Sequence, residues 1–331
     1  MPPSSDTSST APPTQDLAAA CSFLDGADEF VLTSHINTDG DSIGSCLALQ
    51  RLLLNAGKKV TIILNDISDA YDFLEGWDEI QVAAEAATTA AAHAVVLDCP
   101  NLDRIGNAAH HLGDGSRILN IDHHKDNKIF GDVNLVAPMF SSTCEAVYHV
   151  ARGGEMTIDE QTAAALYMGI LFDTGGFRFS LTAAGTFEAA AELVRRGARL
   201  DYIADQLFGN KQFESVKLIG RSVDSLELHC DNQVATLLLT HADMRNGDVR
   251  EIVNYGLLVK GVEVALLLKE ENPDYYSISL RSRDRVDVSL IAAEFGGGGH
   301  AKASGCRIQG TADQVRQALL EKVGKHLSCE S

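Results

Sequence analysis

The sequence has no CxxC pair, no long apolar run and comparatively few basic residues, and each absence argues against a class of function. Its seven cysteines, at positions 21, 46, 99, 144, 230, 306 and 329, are scattered and odd in number. That pattern argues against a disulfide scaffold or a structural zinc site and for a reducing, cytoplasmic setting. No apolar stretch reaches the ~18 residues of a membrane-spanning helix, so no membrane partner is expected. Lys and Arg number 27 against 46 Asp and Glu, a net charge of −19. A long duplex nucleic acid gripped by a broad basic face is therefore not expected. A small anionic ligand remains open, provided metal ions or a local basic pocket offset the acidity. The opening MPPSSDTSSTAPPTQD lacks the basic and apolar regions of a signal peptide, and its composition suggests a disordered tail over residues 1–14. A Walker A loop and internal repeats are also missing.

What is present is ordinary globular composition, 45% hydrophobic and 22% charged over 331 residues. At roughly 100–200 residues per domain, two domains are expected. Apolar strands are expected over 29–35, 59–65, 94–99, 117–124 and 134–138, with helices over 41–57, 142–154 and 158–173. Apolar strands alternating with helices imply a mainly parallel α/β sheet covered on both faces. From about residue 186 the pattern changes to connecting helices. Strands then follow at 225–230, 234–240, 262–270 and 275–283, with helices at 287–295 and 312–327. The expected organisation is a first domain over 15–185, a helical linker over 186–223, and a smaller α/β domain of mixed sheet over 224–331, with a cleft between the two domains.

Polar residues bunch where the expected strands of the first domain end. His35-Ile-Asn-Thr-Asp39-Gly-Asp41 follows the first strand. By itself this suits a polar turn with Asp41 capping the next helix, or metal ligation by nitrogen and oxygen donors. Asp98 closes one apolar strand and Asp122-His123-His124 closes another, while Asp173 follows a long apolar helix and precedes Gly175-Gly176. Each could serve a turn or a cap. Together, carboxylates and imidazoles converging on one crevice would repel strongly unless cations neutralised them. Two divalent ions sharing a bridging ligand supply that compensation, and mixed His and Asp ligation suits Mn²⁺ better than Mg²⁺. The pair His110-His111, with no strand before it, serves as a contrast and is expected at the surface.

In the second domain, Gly296-Gly297-Gly298-Gly299-His300-Ala-Lys302-Ala-Ser304 can expose several backbone N–H groups to an anion. Arg281, Arg283 and Arg285 lie upstream and offer charge-assisted bonds to phosphate. A flexible turn with a solvated basic edge is the plainer alternative.

The segments SHINTDGDSIGS, VVLDCP, NIDHHKDN and GILFDTGGF, in that order, resemble the four motifs of the DHH phosphoesterase superfamily, and GGGGHAKASGC resembles the signature of its associated C-terminal domain. The resemblance covers about residues 20–328 and is strongest, by compact size, toward bacterial enzymes that act on nanoRNA and on 3′-phosphoadenosine 5′-phosphate. It implies that His35 and Asp39 hold one metal, that Asp41, His123 and Asp173 hold a second, and that Asp98 bridges them. It implies two Mn²⁺ per site, with Mg²⁺ as the alternative. His124 would contact the scissile phosphate, and Asp122 would orient the histidines. Arg281, Gly297, Gly298, Gly299, His300 and Ser304 would hold the substrate's phosphate or nucleotide. Thr38 stands where many members carry Pro. The implied activity is hydrolysis of short single-stranded RNA or DNA oligonucleotides to mononucleotides and of 3′-phosphoadenosine 5′-phosphate to AMP, with polarity open. Turnover of linear or cyclic dinucleotides and a catalytically silent nucleotide sensor are the alternatives. The oligomeric state is left open, a homodimer included.

Overall fold

The computed structural model describes residues 14–87, 90–243 and 251–327. Apart from Thr14, the tail expected over 1–14 lies outside the described residues, as does Cys329. The chain divides into two compact units, with the boundary between Asn210 and Lys211.

The first unit runs α1 (Thr14–Asp25), β1 (Glu29–Thr33), α2 (Gly40–Asn55), β2 (Lys59–Leu64), β3 (Gln81–Val82), β4 (Ala91–Leu97), β5 (Leu112–Asp122), β6 (Val133–Val136), α3 (Thr143–Gly153), α4 (Glu160–Asp173), α5 (Ala184–Arg195) and α6 (Leu200–Ala204). Its six strands lie in the order β3-β2-β1-β4-β5-β6, and every pairing is parallel. Strands enclosed on both faces must be apolar on both, which is why Val95, Val96 and Leu97 form an unbroken buried run. One face carries the main core. There Leu32, Ile62, Val95 and Ile121 meet the buried faces of α2, α3 and α4. On the other face Val31, Ile63 and Val96 are covered by Ile105 and Ala108 of a 3₁₀ helix over Leu102–His111. That helix holds the contrast pair. His110 is exposed as expected, but His111 is not. It is 3% exposed, and its Nε2 lies 2.9 Å from the carbonyl of Ala83.

The helices expected between residues 186 and 223 divide. α5 and α6 pack in the first unit, where Ala189, Leu193 and Ile203 join the main core. α7 (Phe213–Asp224) begins the second unit.

The second unit continues β7 (Glu227–His229), β8 (Val234–Leu239), α8 (Asn254–Leu257), β9 (Val264–Asn272), β10 (Tyr275–Ser282), α9 (Val288–Glu294), β11 (Gly298–His300), β12 (Ala303–Gln309) and α10 (Ala312–Leu327). The sheet order is β11-β12-β10-β9-β8-β7. β8 pairs with β9 in parallel and the other pairings are antiparallel, so the sheet is mixed. Residues alternate between its faces. Leu266, Leu268, Ile278 and Leu280 meet α9 and α10 on one side; Ala265, Leu267 and Leu237 meet Leu218 of α7 and residues beside α8 on the other.

Candidate metal centre

β1 and β4 are sheet neighbours although β2 and β3 lie between them in sequence. At such a switch point the loops leaving the two strands part, and the carboxyl ends of the strands border a crevice. His35 follows β1, Asp98 follows β4, and Asp122 ends β5 with His123 directly after it. Asp173 reaches the same place as the last residue of α4. The structure therefore gathers His35, Asp39, Asp41, Asp98, His123, His124 and Asp173 into three donor groups, His35/Asp39/Asp98, Asp41/His123/Asp173 and Asp98/His123/His124. Within each group the donor atoms lie within 4.8 Å of one another.

Local chemistry explains each placement. Asp39, rather than Asp41, is the N-cap of α2. Its Oδ1 accepts the backbone N–H groups of Asp41 and Ser42, both at 3.1 Å, and its Oδ2 lies 3.9 Å from His35 Nε2. One carboxylate thus serves the cap and the crevice with different oxygens. His35 Nδ1 is 2.7 Å from the carbonyl of Ile36. A proton on Nδ1 makes that contact a hydrogen bond and leaves the Nε2 lone pair toward the carboxylates. Asp98 adopts φ +52°, a left-handed backbone that costs a non-glycine residue on the order of 1–3 kcal/mol. Its oxygens are divided. Oδ2 lies 3.4 Å from His35 Nε2 and Oδ1 lies 3.7 Å from His123 Nε2. His123 Nε2 also faces Asp173 Oδ2 at 3.2 Å and Asp41 Oδ2 at 3.9 Å.

Three supports of this cluster are not legible as donors in the sequence. The N-terminus of α3 meets Asp41 head on, with Thr143 N–H donating to Oδ2 at 2.6 Å and Cys144 N–H to Oδ1 at 2.9 Å. The Thr143 hydroxyl donates to Asp98 Oδ1 at 3.1 Å. The Ser142-x-x-Glu145 spacing is the signal that marks this helix start, and the Ser142 hydroxyl does accept the N–H of Glu145. Asp66, beyond β2, clamps the first loop by accepting the N–H groups of Asn37 and Thr38 at 2.8 and 3.0 Å. Thr38 also donates its hydroxyl to the Asp66 carbonyl at 2.8 Å. A proline at 38 would lack that N–H, so the threonine gains a bond here. Gly169 of α4 is the third support. A Cβ there would lie 3.0 Å from Asp41 Oδ1 and would overlap Cys144 Sγ.

The electrostatics follow from burial and crowding. Burial, and then the charges of Asp41, Asp39, Asp173 and Asp122, push the Asp98 carboxyl well above the usual carboxylate range. Burial followed by Asp41 and Asp39 does the same to Asp173. Asp122 goes the other way. Burial opposes its ionisation, but hydrogen bonds and charge from His124, with Asn127 donating at 2.6 Å, hold its carboxyl below the usual range. Asp122 Oδ1 accepts from His124 Nδ1 at 2.7 Å and from the His123 N–H at 2.8 Å.

This donor set fits divalent cations. Ligand bonds of about 2.0–2.3 Å hold neighbouring donors roughly 3 Å apart, close to the 3.2–3.9 Å separations across the imidazoles. His123 Nδ1 is buried without a hydrogen-bond partner among the described residues, and Nε2 is the ring nitrogen that faces the carboxylates.

In the second unit the expected anion loop is largely strand. Gly298–His300 pairs with β12 as the sheet's edge. Gly297 and Gly299 are needed for close approach. A Cβ at 297 would overlap the carbonyl of Gly305, and one at 299 would lie 2.6 Å from that of Ala303. Ser304 is buried in β12. Of the three upstream arginines, two are committed elsewhere. Arg283 donates to the carbonyls of Val262 and Leu257, and Arg285 bonds Gln233 and faces Glu263. Arg281, half-buried on β10, has one bond, Nη1 to the Leu280 carbonyl at 3.2 Å, and no ion pair among the described residues.

Comparison with known proteins places both units. Residues 29–170 match the DHH family N-terminal domain and residues 231–328 match the DHHA1 domain. The bifunctional oligoribonuclease and PAP phosphatase NrnA of Thermus thermophilus is 30% identical over 303 residues, 90% of this chain and 90% of that protein. The protein of the same name in Bacillus subtilis is 26% identical over 290 residues, 85% of this chain and 90% of that one. Among solved structures, an exopolyphosphatase-related protein from Bacteroides fragilis aligns with a TM-score of 0.87 at 26% identity, covering 96% of this chain and 99% of its own.

Proposed function

The chain belongs to the DHH family of phosphoesterases, and on that premise we propose that it hydrolyses short single-stranded oligonucleotides and 3′-phosphoadenosine 5′-phosphate with two divalent ions, Mn²⁺ by preference. The preference rests on the His35 and His123 nitrogens among the carboxylates. The catalytic role falls to the first unit and the holding of substrate to the second. A reducing cytoplasm suits the free cysteines among the described residues.

The observation that carries the two-ion reading is Asp98. It is buried and strained, and it turns one oxygen to His35 and the other to His123. His35 and Asp39 would hold one ion and Asp41, His123 and Asp173 the other, with Asp98 shared. When bound, such a pair acidifies water and neutralises charge growing on phosphoryl oxygens. The chain's own groups do the rest. Asp122, kept anionic, fixes the His124 ring through Nδ1, so that His124 meets the scissile phosphate in one orientation. The α3 N-terminus keeps Asp41 in place. In the second unit Arg281, Gly297, Gly298, Gly299, His300 and Ser304 would grip the substrate's terminal phosphate or nucleotide. Support comes from the guanidinium of Arg281, which lacks a carboxylate partner among the described residues, and from Ala303, its small neighbour on β12.

The test is a substrate panel on chelator-treated protein with and without Mn²⁺, containing 3′-phosphoadenosine 5′-phosphate, di- and pentaribonucleotides, a linear adenosine dinucleotide and pyrophosphate. Mn²⁺-dependent turnover of the bisphosphate and the oligonucleotides is expected. Turnover of pyrophosphate alone, or undiminished activity after verified metal removal, would overturn the proposal.

A further inference from the structure

Gln50 is a buried amide on α2. It is 6% exposed, and its side chain makes no hydrogen bond among the described residues. On α4 the side-chain oxygen of Gln161 is buried and also has no partner among them. A buried amide left unpaired is costly, so each asks for something to bond. Both line one pocket of about 80 Å³ in the first unit, whose opposite wall supplies Glu75, Gly76 and Glu79. A Cβ placed on Gly76 would lie 3.8 Å from Gln50 Oε1, so that oxygen is turned toward the wall carrying the glutamates. At roughly 30 Å³ per water, the pocket has room for a small ion and one or two waters.

The charge around this pocket is negative. Glu75 and Glu79 are exposed at its mouth, and neither makes an ion pair or a side-chain hydrogen bond among the described residues. Arg51 also lines the pocket, but its Nε donates to Asp159 Oδ2 at 2.9 Å. That bond raises the Arg51 pKa, and the charges of Asp159, Glu75 and Glu79 add to the rise. Asp159 therefore balances Arg51 and, as the N-cap of α4, faces the positive end of that helix. The two glutamates remain uncompensated beside two unpaired amides. Every donor offered is an oxygen, from amide carbonyls and carboxylates. Such a set suits a hard cation with flexible coordination, Ca²⁺ rather than Mg²⁺, which demands a near-ideal octahedron and gives up its waters reluctantly.

We propose that this pocket is a structural cation site, in which Gln50, Gln161, Glu75 and Glu79 hold a Ca²⁺-type ion between α2, α4 and the turn over residues 75–79. The site is separate from the metal centre. α2 begins at that centre and α4 ends there. At 1.5 Å per residue, Gln50 lies about 14 Å along α2 from Asp41, and Gln161 about 18 Å along α4 from Asp173. An ion here fastens together the far ends of the two helices whose near ends carry Asp41 and Asp173. With both carboxylates exposed, the ion exchanges readily and leaves on desalting, so it adds nothing to the tightly held complement. The proposal does not depend on which substrate the protein hydrolyses.

The experiment titrates Ca²⁺ into the full chain held in saturating Mn²⁺, comparing wild type, the double variant Glu75→Gln/Glu79→Gln, and Gln50→Leu. Thermal unfolding is one readout. The emission of Trp77, the chain's single tryptophan and set between the two glutamates, is the other. Wild type should melt about 5–10 °C higher once Ca²⁺ reaches a hundred times its dissociation constant, and the Trp77 signal should saturate with it. The double variant should bind at least about tenfold more weakly, since ligand charge sets the affinity. Gln50→Leu should lose the Ca²⁺-dependent rise, yet without Ca²⁺ it should melt no lower than wild type, because an apolar side chain of similar size replaces an unpaired amide. Mg²⁺ at the same concentration should raise the wild-type melting temperature less. A wild type indifferent to Ca²⁺, an equal rise in all three proteins, or a Gln50→Leu protein that melts lower without Ca²⁺ would overturn the proposal and leave a pocket filled by water alone. An equal response to Mg²⁺ would overturn the assignment to a Ca²⁺-type ion.

Discussion

Replacing Gly169 with alanine adds a single methyl group at the point where α3, α4 and Asp41 come together. That methyl would overlap Cys144 Sγ and lie 3.0 Å from both Asp41 Oδ1 and Cys144 Cβ. Neither neighbour gives way freely. Cys144 is fully buried, and its N–H holds Asp41. Forcing a methyl into such a site costs about 1–3 kcal/mol. For a body of roughly 200 residues each kcal/mol moves the melting temperature by about 2–4 °C, so the chelator-treated variant should melt about 2–12 °C lower. Displacing Asp41 should also weaken Mn²⁺ binding, which calorimetry on the same samples would read. The companion variant Cys144→Ala removes the overlapping sulfur. In the four-corner cycle the double variant should be more stable than additivity predicts by at least about 0.5 kcal/mol. Strict additivity, or a Gly169→Ala protein with wild-type melting and metal affinity, would refute the close contact.

Thr143→Val removes the hydroxyl bonded to Asp98 but keeps the backbone N–H on Asp41. Metal affinity should fall about 10–100-fold, with Thr143→Ser near wild type; equal affinities by titration would show that the hydroxyl plays no part. Asp159 caps α4, and although burial opposes its ionisation, bonds from Thr162, Arg51 and Asn55 prevail and hold its carboxyl below the usual range. Its stabilisation is present above the unfolded carboxylate value of about 4 and is lost as pH falls through the folded one. Asp159→Ala should therefore cost about 1 kcal/mol near neutrality, and the gap from wild type should close on acidification; a gap that widened toward low pH would contradict the sign. A length series of end-labelled RNA should show kcat/KM falling from about five to about twenty residues, since a protein of net charge −19 offers no broad basic face to further phosphates. A flat or rising series would favour a processive enzyme.

The parallel sheet is readable because strands covered on both faces must be continuously apolar, and 30–32 and 94–97 are. The ligand candidates were readable because they follow those strands directly. Their partners were harder to see. Thr143 and Cys144 act through backbone N–H groups, which carry no residue-type signal. Asp39 rather than Asp41 caps α2, a choice between two carboxylates that backbone geometry makes. The glycine run suggested an open loop, yet β11 and β12 need those glycines to approach each other. His111 looked like its exposed neighbour until the Ala83 carbonyl supplied a buried partner. Arg283 and Arg285 looked equivalent to Arg281, but they brace neighbouring segments.

The central claim is a centre of two ions sharing Asp98, and metal stoichiometry in Asp98→Ala tests it most directly. Mn²⁺ titration followed by calorimetry, with elemental analysis of desalted protein, should give two ions per wild-type chain. With Asp98 shared by both ions, its oxygens turned one to His35 and one to His123, the variant should lose affinity at both sites together, and turnover should drop by at least ~10². A variant that keeps one site at wild-type affinity, or both, would contradict the shared ligand and with it the two-ion account.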